Sequence, residues 1–407
     1  MTTFYKRTDF LLSLRLKIIF IIKTNQNNMS FQDKRIPVTI LTGFLGAGKT
    51  TLLNELTQRY AHKKIAIIEN EFGEIGIDND LLIRPANGIV ELSNGCICCT
   101  LNDELVEALQ RLLGSDYDFD HLLVETTGIA EPDGVAEAFL ATPEIQQYFR
   151  VDAVVAVADA HFVVDILEER EEAKKQLTFA DFILINKASE VSSLHLQDIC
   201  HLLRQINPLA QIETADYCKT EADILSLQAY NAPHLEKTIV NQTQKHAQTN
   251  VEKHQHAHHH EHKHEHNHSH EHTHEHNHSH DEKAHVCDAH CDHAHEHNHE
   301  HLHSDINSVS FIFDEPFDLI KFRHWLGVVL LIQNQQLYRI KGIINFAWEE
   351  HKMVVQSVQQ LFQFQYGSLW EESEKRQSRI VFIGKNLKKP VLEKSLQLCR
   401  YNPADFE

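Results

Sequence analysis

Between Ile36 and about Ala232 the chain alternates short, continuous apolar runs with longer amphipathic ones. The apolar runs are Val38–Leu41, Ile65–Ile68, Leu122–Glu125, Val151–Val157, Phe182–Ile185 and Gln211–Thr214. Runs without polar alternation predict strands buried on both faces. The stretches Thr50–Tyr60, Leu101–Leu113 and Leu194–Ile206 lie between them and read as helices. Strands separated by helices predict an α/β domain over residues 36–232, with a parallel sheet covered by helices on both faces.

The pattern then collapses. Residues 246–303 hold 24 of the 32 histidines, and the hexapeptide EHNHSH occurs at both Glu265–His270 and Glu275–His280. Such a segment has too few apolar residues to bury a core, so residues 233–305 are expected to be a disordered, His-rich, metal-binding linker. Apolar runs return at Val309–Phe313, Tyr338–Gly342, Ile344–Trp348 and Ile380–Gly384, with helical patterns at Asp318–Leu330 and Pro390–Cys399. Residues 306–407 are therefore expected to form a smaller α+β domain. At the other end, the run Phe10–Ile22 is short and interrupted by Ser13, Arg15 and Lys17, which suits neither a bilayer span nor a signal peptide. Residues 1–35 read as an extension, disordered or preceding a true start at Met29, with an amphipathic surface helix as the alternative.

The formal net charge of −20 argues against nucleic acid as a partner. Three of the eight cysteines crowd into Cys96–Cys99, which is the spacing of metal ligands and not of a disulfide framework. A reducing cytoplasm suits that usage. Cys200, Cys218 and Cys399 fall in helical or strand contexts and are expected to be buried.

GFLGAGKTT, Gly43–Thr51, follows the first strand and fits G-x-x-x-x-G-K-[ST]. Gly43, Gly46 and Gly48 permit a tight turn, and the backbone N–H groups from Gly43 through Ala47 to Thr51 can wrap a nucleotide's phosphates. Lys49 would neutralise β- and γ-phosphate charge, and the Thr50 hydroxyl would reach Mg²⁺. The strand Leu122–Glu125 ends in Glu125-Thr126-Thr127-Gly128, where Glu125 can hold Mg²⁺ through water and Gly128 can sense the γ-phosphate. Asn186-Lys187-Ala188-Ser189 stands where an N-K-x-D sequence reads guanine, but Ser189 replaces the carboxylate and an acid appears only at Glu190. Guanine selectivity over adenine is therefore left open.

Cys96, Cys98 and Cys99 are soft thiolates just before a predicted helix and suit Zn²⁺ or Cu⁺. Three sulfurs leave a tetrahedral ion one position short, as reversible transfer requires. The acidic run Glu69–Asp78, with Glu69 and Glu74, could reach Mg²⁺ or complete the thiolate site. Within the His-rich tract, His285, Cys287, His290, Cys291 and His293 could form a tighter site, and the tract as a whole reads as a metal reservoir.

The segments TGFLGAGKTT at 42–51, IENEFGEIGID at 68–78, NGCICC at 94–99 and ETTG at 125–128 resemble the CobW-like metal-chaperone GTPases. Arg339–Gly342 and Ile380–Gly384 are similar to that family's C-terminal domain. The resemblance implies a P-loop NTPase-type fold and a Mg²⁺-dependent GTPase that transfers a metal, most often Zn²⁺, to client metalloproteins. It implies that Cys96, Cys98 and Cys99 bind the metal, that Glu69 or Glu74 lies near it, and that Glu125 belongs to the Mg²⁺ shell. Ser189 departs from the family's usual Asp. The expected partners are GTP and client zinc metalloproteins, with no nucleic acid or membrane, and assembly into a homo-oligomer is left open. Turnover is expected to be slow, since no arginine finger is identifiable. A Ni²⁺ or Co²⁺ insertase GTPase, or a non-enzymatic metal buffer, remains as the alternative.

Overall fold

A computed structural model of the chain describes residues 33–70, 89–94, 101–128, 131–255, 305–333 and 335–406. Strand β1 (Ile36–Thr42) carries the phosphate loop at its carboxyl end and pairs in parallel with β4 (His121–Glu125) on one side and β5 (Phe149–Asp159) on the other. The sheet extends outward through β2 (Ile65–Asn70) and β3 (Ile89–Asn94) on the first side, and β6 (Phe182–Asn186) and β7 (Gln211–Thr214) on the second. Among the described residues it has seven strands in the order β3-β2-β4-β1-β5-β6-β7, all of whose pairings are parallel. The connection from β4 to β5 crosses β1, so the phosphate loop opens where the strand order reverses. Ligands of open α/β sheets bind in that crevice.

The sheet is apolar on both faces because side chains alternate along each strand. Val38 and Ile40 of β1, with Leu122 and Val124 of β4, pack beneath helices α2 (Leu101–Leu113) and α3 (Pro132–Ala141). Leu41 and Leu123 point the other way, onto helix α1 (Lys49–Arg59) through Leu52, Leu53 and Leu56. A short turn, α4 (Pro143–Gln146), leads into β5. Beyond β5, helices α5 (Val163–Glu169), α6 (Glu171–Phe179) and α7 (Ser193–Ile206) cover the first face. The Ser192 side chain accepts from His195 N–H at 3.2 Å and caps α7.

The chain leaves β7 through helix α8 (Ala232–Gln255). This corrects the expected linker start at residue 233. Leu235 and Ile239 of α8 are buried against Ile343, Val354 and Trp370 of the second sheet, so burial fixes a helix there. That sheet is antiparallel and comprises β8 (Ile306–Phe313), β9 (Leu337–Ile344), β10 (His351–Val358), β11 (Leu361–Leu369) and β12 (Ser378–Lys385). Its order among the described residues is β11-β10-β9-β12-β8. Helices α9 (Leu319–Ile332) and α10 (Lys389–Gln397) cover one face through Phe322, Leu326, Leu392 and Leu396. The Asp318 side chain caps α9 by accepting from Ile320 and Lys321 N–H, each at 2.9 Å. The expected strand Ile344–Trp348 is not present. β9 ends at Ile344, and Asn345–Ala347 instead clasps Phe317 through bonds of 2.8 and 2.9 Å.

Ile36–Glu407 cluster as one unit. The second sheet meets α6 and α7 through Ile306, Val381 and Ile383. A charged cluster sits in the same junction. Asp181, just before β6, accepts from Arg339 at 2.6 Å and Lys341 at 2.7 Å, all three being 8% exposed or less. Arg339 also donates to the carbonyls of Phe179 and Ala180 at the end of α6. Asp181 Oδ2 accepts from Val154 N–H at 2.9 Å. Opposite charges and hydrogen bonds hold the Asp181 carboxyl below the usual range against the opposing effect of burial, while burial pushes Lys341 down to about 8.

Candidate functional site

The phosphate loop starts from a backbone that glycine alone accommodates well. Gly48, the residue before α1, has φ of 114°, and a Cβ there would meet Asn186 Nδ2 at 2.5 Å. Lys49, 8% exposed, donates Nζ to Gly43 O at 2.9 Å and to Phe44 O at 3.4 Å, closing the loop into a ring. Burial lowers the Lys49 pKa, and the charge of Glu125 partly restores it. Thr50 donates its hydroxyl to Glu125 Oε1 at 3.4 Å. These two hard oxygens at the end of β4 and the start of α1 suit Mg²⁺.

Gly128 packs directly on the loop. A Cβ built there would lie 2.8 Å from Leu45 N and 3.0 Å from Leu45 Cα. Gln176 of α6 donates to Gly128 O at 3.1 Å, and Lys175 pairs with Glu131 at 2.5 Å. The segment after Glu125 is therefore held between the phosphate loop and α6.

Asn186 ends β6 beneath the loop. Its Nδ2 donates to Ala47 O at 3.0 Å, and its Oδ1 accepts from Cys218 N–H at 3.0 Å. Lys187 adopts φ of 60° and donates to Gly46 O at 3.1 Å and to Asp159 at 2.5 Å. Ser189 donates its backbone N–H to Asp216 Oδ1 at 3.0 Å. The structure thus brings Gly43, Gly46, Ala47, Gly48, Lys49, Thr50, Glu125, Gly128, Asn186, Lys187 and Ser189 to one end of the sheet; Thr51 follows them into α1 and is exposed. Sequence reasoning missed Asp159, Asp216 and Gln176. The first two stand at or just after the carboxyl ends of strands, a positional signal available in the sequence. Cys200, Cys218 and Cys399 are buried as expected, and burial pushes the Cys218 thiol up to about 12.

Glu69, one residue before the end of β2, is in register with Glu125 of β4 and Ser93 of β3. Asn94, at the end of β3, lies opposite Asn70. Cys96, Cys98, Cys99, Glu74, His285, Cys287, His290, Cys291 and His293 lie outside the described residues. Among the described residues no cluster of metal-ligating side chains occurs. None of the described helices is long and apolar enough to cross a membrane.

A parallel sheet whose central strand feeds a G-x-x-x-x-G-K-T loop into a helix, with Glu125 and Gly128 beside that loop, defines a P-loop nucleotide-binding protein. The family described as "CobW/HypB/UreG, nucleotide-binding domain" matches residues 37–214, and "Cobalamin synthesis protein cobW C-terminal domain" matches residues 306–400. The chain belongs to the CobW branch of this CobW/HypB/UreG family. It is 30% identical over 356 residues to the zinc chaperone YjiA of Escherichia coli, covering 86% of this chain and 94% of that protein. It is 35% identical over 216 residues to zinc-regulated GTPase metalloprotein activator 1 of Schizosaccharomyces pombe, covering 50% of this chain and 53% of that protein. The crystal structure of Zn(II)-bound YjiA GTPase from E. coli superposes with a TM-score of 0.63 at 25% identity, covering 90% of this chain and 99% of that chain.

Proposed function

We propose that this protein is a GTP-hydrolysing metallochaperone that binds Zn²⁺ at Cys96, Cys98 and Cys99 and passes it to client metalloproteins. The observation that supports this reading is the order of the strand ends. β3, β2, β4 and β1 are neighbours in parallel register, so Ser93, Glu69, Glu125 and Leu41 lie side by side at or one residue short of the strand ends. β3, β2 and β1 thus end at Asn94, Asn70 and Thr42 on the same side of the sheet, and in sequence these residues directly precede the cysteine segment, the acidic segment and the phosphate loop. Three strand spacings separate the first from the last, roughly 14 Å.

Each residue's contribution follows from its place. Lys49 turns its ammonium from the carbonyls of Gly43 and Phe44 to the β- and γ-phosphates. Backbone N–H groups of Gly46 to Thr50 and the start of α1 hold the phosphate oxygens. Thr50 and Glu125 would hold Mg²⁺, which would supply charge neutralisation on the phosphates. Gly128, tight against Leu45, senses whether the γ-phosphate is present. With no arginine finger identifiable in the sequence, turnover is slow. Loops released on hydrolysis loosen the thiolate site, a common mode of switching. Zn²⁺ occupancy must then shift nucleotide affinity by the same factor that nucleotide shifts Zn²⁺ affinity. The histidine tract supplies a reservoir of moderate-affinity sites, with a tighter one at Cys287 and Cys291.

Zn²⁺ affinity measured without nucleotide, with GDP and with a non-hydrolysable GTP analogue tests the coupling. The wild type should change affinity with nucleotide, and Cys98→Ala should abolish the change. Deleting 256–303 should lower the number of ions bound and leave the change in place. Equal affinity in all three nucleotide states would defeat the proposal.

A further inference from the structure

Reading guanine takes an acceptor for both its N1–H and its 2-amino group, and a carboxylate supplies two charged oxygens for that purpose. Where that acceptor is expected the chain has Ser189, a single hydroxyl. The structure brings a different carboxylate to the same place. The Ser189 backbone N–H donates to Asp216 Oδ1 at 3.0 Å, which pins the Asp216 side chain at the residue that lacks the charge.

The surroundings fix Asp216 relative to the phosphates. Two residues on, Cys218 N–H donates to Asn186 Oδ1, and Asn186 Nδ2 donates to Ala47 O. Lys187 bonds Gly46 O from the other side. The loop after β7, the end of β6 and the phosphate loop are thereby one hydrogen-bonded frame. Glu190, the acid nearest Ser189 in sequence, is engaged elsewhere, with its Oε2 3.0 Å from His161 Nε2. Asp216 is partly exposed, so its second oxygen remains accessible, and its neighbour Tyr217 is 77% exposed and offers a ring for stacking.

We propose that Asp216 is the guanine-specificity residue of this protein, in place of the carboxylate missing at Ser189. Its oxygens accept from N1–H and the 2-amino group while Oδ1 keeps the Ser189 N–H. This rests on the GTP-binding reading above.

Asp216→Asn separates reading from anchoring. The amide is isosteric and keeps an oxygen for the Ser189 N–H, but it presents an NH₂ donor where the carboxylate presented an acceptor. Guanine then opposes donor to donor. Xanthine, with a 2-carbonyl in place of the 2-amino group, meets its complement. Competition binding of GTP and XTP to the full chain with Mg²⁺ is the measurement. The wild type should prefer GTP, and the variant should lose at least about tenfold in GTP affinity and gain for XTP. An unchanged GTP-to-XTP ratio overturns the proposal. Equal losses for both nucleotides also overturn it, by reducing Asp216 to a structural anchor. A wild type that binds GTP tightly while the variant's ratio stays fixed leaves the GTPase reading intact; a wild type indifferent to guanine overturns both.

Discussion

The Thr50 hydroxyl reaches Glu125 Oε1 across 3.4 Å, joining the first turn of α1 to the end of β4. The contact is long for an O–H···O bond, whose usual length is about 2.7–2.8 Å. Thr50 and Glu125 are the residues that would hold Mg²⁺, Glu125 through water. Glu125→Gln removes the anionic member of the pair. It should reduce Mg²⁺-dependent phosphate release from GTP by at least about tenfold. A Mg²⁺ titration of phosphate release checks this, and an unaltered titration curve would take Glu125 out of the cation's shell.

Gly128 leaves no room for a side chain. Ala at this position would press its Cβ into the Leu45 backbone, 2.8 Å from the nitrogen, and backbone cannot swing aside as a flexible side chain can. The strain of such overpacking is about 1–3 kcal/mol. It should fall on the phosphate loop, so Gly128→Ala should weaken GTP binding roughly tenfold or more. Calorimetric titration of the folded variant gives the number.

The Asp181 cluster joins the two halves of the chain. Asp181→Ala would leave Arg339 and Lys341 buried without their shared anion, 1% and 3% exposed. Breaking a buried pair in this way costs about 3–5 kcal/mol. Urea unfolding should show that loss, and Lys341→Met should lose less, since Asp181 then keeps Arg339. Equal, small effects of both changes would mean that the junction is held by its apolar contacts instead.

His121 opens β4 at 1% exposure and shares a 2.9 Å hydrogen bond with Thr39 Oγ1. Burial, helped by the positive charges of Lys63 and Arg150, pushes its pKa down to about 3, against 6.5 for the free side chain. Between those values the unfolded chain binds a proton that the folded chain refuses. The contribution to stability is therefore complete above pH 6.5 and declines as pH falls toward 3, by up to about 1.4 kcal/mol per pH unit. His121→Gln should flatten the decline in urea midpoint between pH 6.5 and 5 relative to the wild type.

The strands around the phosphate loop were legible because each is a continuous apolar run, and burial on both faces writes that run directly into the sequence. β3 was not, because Ile89-Val90-Glu91-Leu92-Ser93-Asn94 alternates and lies at a sheet edge. β11 carries the alternation Phe362-Gln363-Phe364-Gln365 of an antiparallel strand, a period-two signal that a search for continuous runs passes over. Helix α8 was hidden because its packing residues, Leu235 and Ile239, are few in a polar stretch and find their partners about a hundred residues downstream, at Ile343 and Val354. In the site, Lys49, Thr50, Glu125 and Gly128 were readable because their chemistry depends on local spacing. Asp159 and Asp216 carried only the general signal of a strand end, and it is the order of the strands that places them beside Lys187 and Ser189.

Helix α8 and strand β8 flank the histidine-rich stretch, and both pack into the second sheet and its cover. Both margins of the tract therefore belong to the same half of the molecule. Repeats such as EHNHSH could be gained or lost between Gln255 and Ile306 without altering how the nucleotide half meets the other. For the same reason, separating the halves by cutting within the tract would leave α8 attached to the fragment that does not bury it.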